Sequence, residues 1–161
     1  MVRKASQFRD ELADREAIRA CIHQYCRAQD TQDEALLHDV YWPGAIDDHV
    51  HFRGPKEEFV EWCMPRLRAV DYIKHMITNP EISFESATVA RVESYYQAVS
   101  GITDASGTKT NIVSLGIYRD RFEKRDDEWR IADRLVILTP PEPGSIRMQL
   151  GWAASGFAPE G

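Results

Sequence analysis

An acidic side chain continues the apolar stripe of the first clear helical segment. Ile18, Ile22 and Cys26 are spaced four residues apart, and the next step of four reaches an aspartate, Asp30. Residues at this spacing lie on one face of an α-helix. The pattern therefore turns the Asp30 carboxylate toward the interior, where an unpaired ionisable group is unfavourable. Tyr25 lies beside the same stripe, so its hydroxyl also points inward.

His75 is the partner that we predict for this carboxylate. In a strand-like segment, Ile73, His75 and Ile77 share one face because side chains alternate with period two. A carboxylate that accepts a hydrogen bond from Nδ1–H fixes the imidazole tautomer and leaves Nε2 free to act as a general base. Taken singly, each residue has a plainer interpretation: a core histidine, and a solvated or capping aspartate at a helix end.

The elements that must position these side chains follow from hydrophobic periodicity and turn signals. Helical patterns precede a series of long strand patterns, which predicts an α+β domain with a mostly antiparallel sheet wrapped around N-terminal helices. We expect Asp14 to cap the first helix, Pro65 to kink or shorten the third, and Pro43-Gly44 to end the second. The predicted helices cover residues 14–30, 34–41 and 56–70, and the predicted strands cover 45–52, 73–84, 88–103, 110–124 and 129–138.

The chain divides into one domain with two short terminal segments. We expect residues 1–10 to be a flexible N-terminus, because they are polar and charged, and residues 11–140 to form the domain. Residues 141–161 are rich in Pro, Gly and Ala but retain Met148, Leu150, Trp152 and Phe157. This tail is therefore expected to pack on the domain or on a neighbouring subunit.

The composition excludes several classes of function. The 161 residues carry a net charge of −6, which argues against nucleic acid or an anionic membrane as partner. No apolar run has the length of a membrane span, and the N-terminus lacks the apolar centre of a signal peptide. The three cysteines show no metal-ligand spacing and are expected to be free buried thiols. Together these features predict a cytoplasmic protein.

The segment 47–51 offers a second set of chemically capable side chains. Asp47, His49 and His51 alternate along a predicted strand and would share one face, as metal ligands can. A metal site needs a third or fourth convergent ligand and a supporting shell. A polar strand face at the surface or rim of the domain is the favoured interpretation, and we predict no metal and no cofactor.

Several motifs together resemble the SnoaL-like group of the nuclear transport factor 2-like superfamily, whose fold is a cystatin-like α+β cone. The resemblance covers roughly residues 10 to 140. The motifs are Arg15-Glu16-Ala17-Ile18, Tyr25 with Asp30, Phe52-Arg53-Gly54-Pro55-Lys56-Glu57, His75 with Asn79, and Tyr118 with Phe122-Glu123-Lys124-Arg125-Asp126 and Trp129-Arg130-Ile131. Within the group the chain is most similar to hexachlorocyclohexane dehydrochlorinase, bile-acid 7α-dehydratase and scytalone dehydratase.

The resemblance implies roles for four residues. Asp30 and His75 match the catalytic dyad of the group. Tyr25 matches a tyrosine of the dehydratases, where the dehydrochlorinase has a lysine. Arg134 follows Trp129 by five residues, as a functional arginine does in the dehydrochlorinase, although the bile-acid enzyme differs there. For Arg134 an ion pair with Asp133 or another carboxylate is an equally good interpretation.

These expectations combine into one functional hypothesis. The chain is predicted to be a cofactor-independent lyase of the dehydratase or dehydrohalogenase type, acting on a small cyclic hydrophobic substrate. His75, held by Asp30, takes a proton, while Tyr25 and Arg134 meet the leaving group or oxyanion. The alternatives are an isomerase using the same base and a non-catalytic module like the small subunits of ring-hydroxylating dioxygenases. A homo-oligomer, trimer or dimer, is expected because the open sheet face needs covering.

Overall fold

The computed structural model describes residues 5–139 and 146–148 of the chain. The described residues form three helices and seven strands. The helices and the long strands follow the expected order, whereas the short strands β2 and β7 were not predicted. The elements are α1 Ala5–Thr31, α2 Glu34–Asp39, β1 Tyr41–His49, β2 Arg53–Pro55, α3 Lys56–Arg68, β3 Tyr72–Phe84, β4 Val89–Thr103, β5 Lys109–Arg125, β6 Glu128–Leu138 and β7 Ile146–Met148.

The strands form one open sheet whose order is β2-β1-β6-β5-β4-β3, with β7 paired to β5. All neighbours are antiparallel except β1 and β6, which are parallel. The helices pack on one face of this sheet, so the predicted α+β class with helices inside a curved, mostly antiparallel sheet is confirmed. The described strands leave β2 and β3 as the edges of the main sheet.

Helix α1 is longer than its apolar stripe predicts. It begins at Ala5, so it includes most of the segment expected to be a flexible N-terminus, and Asp14 lies within it instead of capping it. The Asp14 carboxylate has another role: its Oδ1 accepts a hydrogen bond from Trp129 Nε1 at 2.8 Å and lies 3.1 Å from Lys124 Nζ. A polar residue that binds the sheet was therefore misread as a helix start.

The two short helices follow their predicted boundaries closely. Asp33 caps α2 through its side chain, which accepts from the backbone N–H of Leu36 at 3.0 Å. Helix α3 continues past Pro65 and ends at Arg68, so the proline does not end the helix. Pro65 removes one backbone donor, and the helix extends only three residues beyond it.

Strand β1 begins earlier than expected. Pro43-Gly44 was predicted as a break, but both residues lie within β1. The pairing register of β1 and β6 shifts between Tyr41 and Ile46, and Gly44 has φ of +80°. A bulge accommodates the proline, which cannot donate to the ladder, and the glycine, which readily adopts positive φ.

The long strands β3 to β6 match the prediction to within a residue or two and form the meander that carries the site. Asp126 and Asp127, both with positive φ, make the tight β5–β6 turn. Side chains at even positions of β4 and β5, such as Ser94, Tyr96, Tyr118 and Phe122, face the helices and the core. Of the C-terminal tail, only 146–148 is described, and its other residues lie outside the described part of the chain.

Candidate active site

Asp30 and His75 meet at the end of α1 and the inner face of β3. Asp30 Oδ1 lies 2.7 Å from His75 Nδ1. The same carboxylate also accepts from the backbone N–H of His75, at 3.0 Å for Oδ1 and 3.3 Å for Oδ2. The His75 side chain is 4% exposed and that of Asp30 is 15% exposed. The carboxylate thus satisfies a backbone donor at the open edge of β3 and orients the imidazole with one group.

This geometry defines the chemistry that the imidazole can perform. An ionised carboxylate only accepts hydrogen bonds, so His75 Nδ1 carries the donated proton. Nε2 of the neutral ring then presents a lone pair. Lys74, an exposed neighbour, places its Nζ 4.0 Å from Asp30 Oδ2 and adds positive charge on the solvent side. The contact therefore occupies Nδ1 and leaves Nε2 on the side of the ring that points away from the carboxylate.

His75 lines a cavity of about 280 Å³ between α1, α3 and the sheet. Most of its wall is apolar or aromatic, as is usual for small-molecule sites. The apolar lining residues are Val50, Trp62, Cys63, Leu67, Ile73, Tyr96, Ala98, Tyr118 and Leu138. A smaller set of polar side chains converges on the same space: Gln29, His49, His51, Arg66, His75, Ser100 and Ser114.

Tyr25 and Arg134 lie together in a fully buried layer beside the cavity wall. The Arg134 guanidinium carbon lies 3.8 Å from the centroid of the Tyr25 ring and 4.3 Å from that of Tyr118. Neither the Tyr25 hydroxyl nor Arg134 Nη1 makes a well-formed hydrogen bond within the described residues. Burial raises the pKa of Tyr25 well above its ordinary value, and the charge of Arg134 opposes this only in part. The hydroxyl is therefore held as a neutral donor.

Arg134 is also one half of a buried ion pair. Its Nε and Nη2 each donate at 2.7 Å to one oxygen of Asp120. Burial disfavours the guanidinium charge, but the Asp120 carboxylate outweighs it and holds the pKa of Arg134 well above its usual range. The partner is Asp120, whereas the neighbouring Asp133 lies 4.0 Å from Arg121. Arg134 therefore keeps a fixed positive charge beside the Tyr25 ring.

The four predicted site residues form two pairs. Asp30 meets His75, and Tyr25 meets Arg134. His75 lines the cavity, whereas Tyr25, Asp30 and Arg134 lie behind its lining. Asn79, which accompanied His75 in the sequence pattern, is exposed and has φ of +53° at a break in the β3–β4 register.

Two features of the cavity were not predicted. Gln29 is 3% exposed, and its Nε2 has no partner within the described residues. It follows Tyr25 by four residues, so the helical stripe could have revealed it. Asp47 is fully buried, so the interpretation of its strand face as surface is wrong for this residue. Its neighbour Ile46 lies on the opposite face of β1. At this point of the strand the polar residue therefore faces the core and the apolar one faces away from it, the reverse of the usual arrangement.

Within the described residues, no group of three or more His, Cys, Asp or Glu side chains has the arrangement of a metal site. None of the helices between residues 5 and 139 is both long enough and apolar enough to cross a bilayer.

The sequence matches the family model of the SnoaL-like domain over residues 10–135. This is most of the described chain. The chain belongs to the SnoaL-like domain family. The resemblance to this group that the Asp30, His75 and hairpin motifs indicated is thereby confirmed, and with it the placement in the nuclear transport factor 2-like superfamily.

Solved structures of similar fold include enzymes that act on small molecules. LinA has a TM-score of 0.73 and 21% identity, covering 94% of this chain and 97% of its own. A scytalone dehydratase-like protein from Novosphingobium aromaticivorans DSM 12444 has a TM-score of 0.73 and 17% identity, covering 88% and 91%. The hexachlorocyclohexane dehydrochlorinase LinA-type3 from Novosphingobium barchaimii LL02 has a TM-score of 0.69 and 19% identity, covering 94% and 98%. At these identities the likeness establishes the fold.

Proposed function

We propose that this protein is a cofactor-independent lyase of the dehydratase or dehydrohalogenase type. The observation that carries the proposal is the contact between Asp30 Oδ1 and His75 Nδ1, 2.7 Å, at the wall of a largely apolar cavity. A buried carboxylate–imidazole pair facing an apolar hollow has the parts of a general base, and a purely structural core has no need of it.

The first step of the proposed reaction is proton abstraction from carbon. His75 Nε2 takes a proton from an acidic C–H of the substrate, and Asp30 stabilises the imidazolium that forms. The electron pair of the broken C–H bond becomes the new C=C bond, or an enolate, as the leaving group departs. The apolar wall excludes water, which strengthens each charge interaction within the cavity.

Tyr25 and Arg134 are proposed to stabilise the negative charge that develops. The Tyr25 hydroxyl and the Arg134 guanidinium are both buried and interact with each other. A ligand that reaches this layer would therefore meet a neutral donor beside a fixed positive charge. For direct contact, the substrate must reach past the Tyr118 ring, which separates this layer from the cavity.

The cavity suits a small hydrophobic ring as substrate. Its volume of about 280 Å³ is at the lower end for ligand pockets. The stacked Tyr96 and Tyr118 rings, 4.3 Å apart, form a flat wall, and Trp62 adds another aromatic face. Structural neighbours described as dehydrochlorinases of hexachlorocyclohexane, or as scytalone dehydratase-like, also point to cyclic substrates.

The isomerase alternative uses the same base. If no leaving group is present, the proton held by His75 returns to another carbon of the same substrate. A third candidate is a binding or assembly module without turnover, which the Asp30–His75 pair disfavours. Product analysis in D2O separates the three: a lyase releases water or halide, an isomerase places deuterium in a rearranged product, and a binding module does neither.

The experiment that tests the proposal is a screen of cyclic β-hydroxy ketones, β-chloro ketones and hexachlorocyclohexane for elimination products. A lyase gives a conjugated ketone, or chloride, in amounts that exceed the number of protein molecules. His75→Ala removes this turnover. His23→Ala, at an exposed histidine of α1, retains it. Equal turnover in the two variants would place the chemistry elsewhere and overturn the proposal.

The protein is also proposed to act as a homo-oligomer, trimer or dimer, in the cytoplasm. On the sheet face that points away from the helices, Tyr95 is 49% exposed, Met76 is 46% exposed and Leu135 is 39% exposed. Large apolar side chains exposed on one sheet face are typical of a subunit interface. Three free buried thiols, Cys21, Cys26 and Cys63, suit a reducing compartment.

A further inference from the structure

A second carboxylate and imidazole lie close together on the inner face of β1. Asp47 Oδ1 is 3.3 Å from His49 Nδ1, and the two residues alternate along the strand. The other oxygen of Asp47 accepts from the Tyr41 hydroxyl at 2.5 Å. Asp47 is fully buried, so the Tyr41 hydroxyl and the His49 ring are, among the described residues, the groups available to stabilise a negative charge on its carboxylate.

His49 lines the same cavity as His75. Its ring stacks on Phe59 with centroids 5.2 Å apart and planes 30° from parallel, and Trp62 lies 5.9 Å away. Nδ1 is buried, so the 22% exposure of the side chain belongs to its other atoms. Three imidazoles therefore line the cavity: His75 from the edge strand β3, His49 from the end of β1, and the exposed His51 from the segment between β1 and β2.

The packing of the core does not account for the Asp47–His49 arrangement. Asp47 Oδ1 and His49 Nδ1 lack a well-formed hydrogen bond with any described group, although they lie within ion-pair distance of each other. A buried carboxylate oxygen without a donor is unfavourable. A proton on His49 Nδ1 would face this carboxylate oxygen and orient the ring toward Asp47.

We propose that His49, held by Asp47, is the general acid that protonates the leaving group. This inference rests on the proposed lyase function. His75 Nε2 removes the proton from carbon, and the C–H electron pair forms the C=C bond. The C–O bond breaks as the departing oxygen takes a proton from His49 Nε2, so water leaves. His75 then gives its proton to solvent and His49 regains one, which restores both groups. Asp47 is a positioning residue in this scheme.

A pair of substrates with different leaving groups tests the role of His49. In 3-hydroxycyclohexanone the leaving hydroxide needs a proton, whereas chloride leaves 3-chlorocyclohexanone without one. His49→Phe keeps the aromatic contact with Phe59 and removes both ring nitrogens, and His49→Gln serves as a second, polar replacement. Either variant lowers the hydroxyl elimination by about 10²-fold or more and changes the chloride elimination little, after subtraction of the buffer rate.

Four outcomes separate the acid role of His49 from the proposed function. An unchanged hydroxyl elimination overturns the acid role, and an equal loss on both substrates also overturns it, because it shows a role in binding or folding. His75→Ala loses both reactions if the proposed function holds. If His75→Ala keeps both, the proposed function fails, whatever His49 does.

The Asp47–His49 pair is tested without any substrate. Histidine ring nitrogens are followed by NMR as the pH is varied. Asp47→Asn changes the ring-nitrogen chemical shifts of His49, because the carboxylate 3.3 Å from Nδ1 is replaced, and leaves those of His75 unchanged. The matched control Asp48→Asn removes a carboxylate that lies 3.2 Å from Arg53, on the other face of the strand. The same shift of His49 in both variants would contradict the pairing.

Discussion

Asp30 holds His75 by its backbone and by its side chain at once. One carboxylate accepts from the backbone N–H at 3.0 Å and from Nδ1 at 2.7 Å. The backbone contact fixes where β3 runs relative to the end of α1, and the ring contact fixes the tautomer. A residue 45 positions away in sequence therefore positions both the strand and its base.

Asp30→Asn is predicted to separate these two roles. The amide oxygen still accepts from the His75 backbone, but the amide carries no charge to stabilise the imidazolium. We expect turnover to fall by about 10²–10⁴-fold, with a small change in thermal stability. Steady-state kinetics and differential scanning fluorimetry measure the two effects. A large loss of stability with unchanged turnover per folded molecule would show that Asp30 serves the strand alone.

Tyr25→Phe is predicted to lower activity without lowering stability. The ring packs edge-on against Tyr41 at 6.0 Å and Tyr118 at 5.8 Å, and phenylalanine preserves both contacts. The hydroxyl has no well-formed hydrogen bond within the described residues, so its removal relieves a buried polar group. Tyr41→Phe is the matched control, because it breaks a hydrogen bond to Asp47 and should destabilise the fold. A lower melting temperature for Tyr25→Phe would contradict this account.

Periodicity predicted the strands well because long alternating runs specify both the element and its inner face. The bounds of β3 to β6 follow directly from them. Helix α1 was predicted too short because Asp14 has the residue type of a cap, and only the distant Trp129 explains its position inside the helix. Strand β1 was predicted too late because a bulge accommodates Pro43.

In the candidate site, too, some features followed from local sequence patterns and others depended on tertiary structure. Asp30 followed from a helical stripe and His75 from a strand face, but their contact depends on tertiary packing, which only the family resemblance anticipated. Asp47 and His49 were read as a polar outer face, whereas the sheet turns Ile46 outward and Asp47 inward. Polar residues on the inner face of a strand are atypical, and such exceptions concentrate at functional sites.

Breaking the Arg134–Asp120 pair is predicted to be strongly destabilising. Both side chains are fully buried and joined by two hydrogen bonds of 2.7 Å. Arg134→Met leaves an unpaired carboxylate in the core and should lower the free energy of unfolding by about 3–5 kcal/mol. The double variant with Asp120→Leu should recover part of this loss, as measured by urea denaturation. Strictly additive losses would mean that the two residues act independently.

Alkaline pH is predicted to destabilise the protein through its buried thiols. Burial raises the pKa of Cys21 from 9.0 to about 12. The unfolded thiol ionises above pH 9 while the folded one stays protonated, so stability is full below pH 9 and falls as the pH rises toward 12. At pH 10 the loss from this one thiol is about 1.4 kcal/mol. Urea denaturation gives the free energy of unfolding at pH 8 and at pH 10. The decrease between the two pH values should be smaller for Cys21→Ala than for the wild type, and an equal decrease would contradict the raised pKa of Cys21.

The outer sheet face is predicted to form the contact between subunits. Tyr95 on β4 is 49% exposed and pairs in register with Ile117 of β5 and Thr78 of β3, so it lies within the sheet and away from its edges. Tyr95→Lys places a charge in the middle of this face and should dissociate the oligomer, because burying an unpaired ammonium is unfavourable. Leu12→Lys, at an equally exposed apolar residue of α1, should leave the assembly intact. Light scattering coupled to size-exclusion chromatography gives the mass of each variant, and dissociation by Leu12→Lys alone would place the interface on the helix.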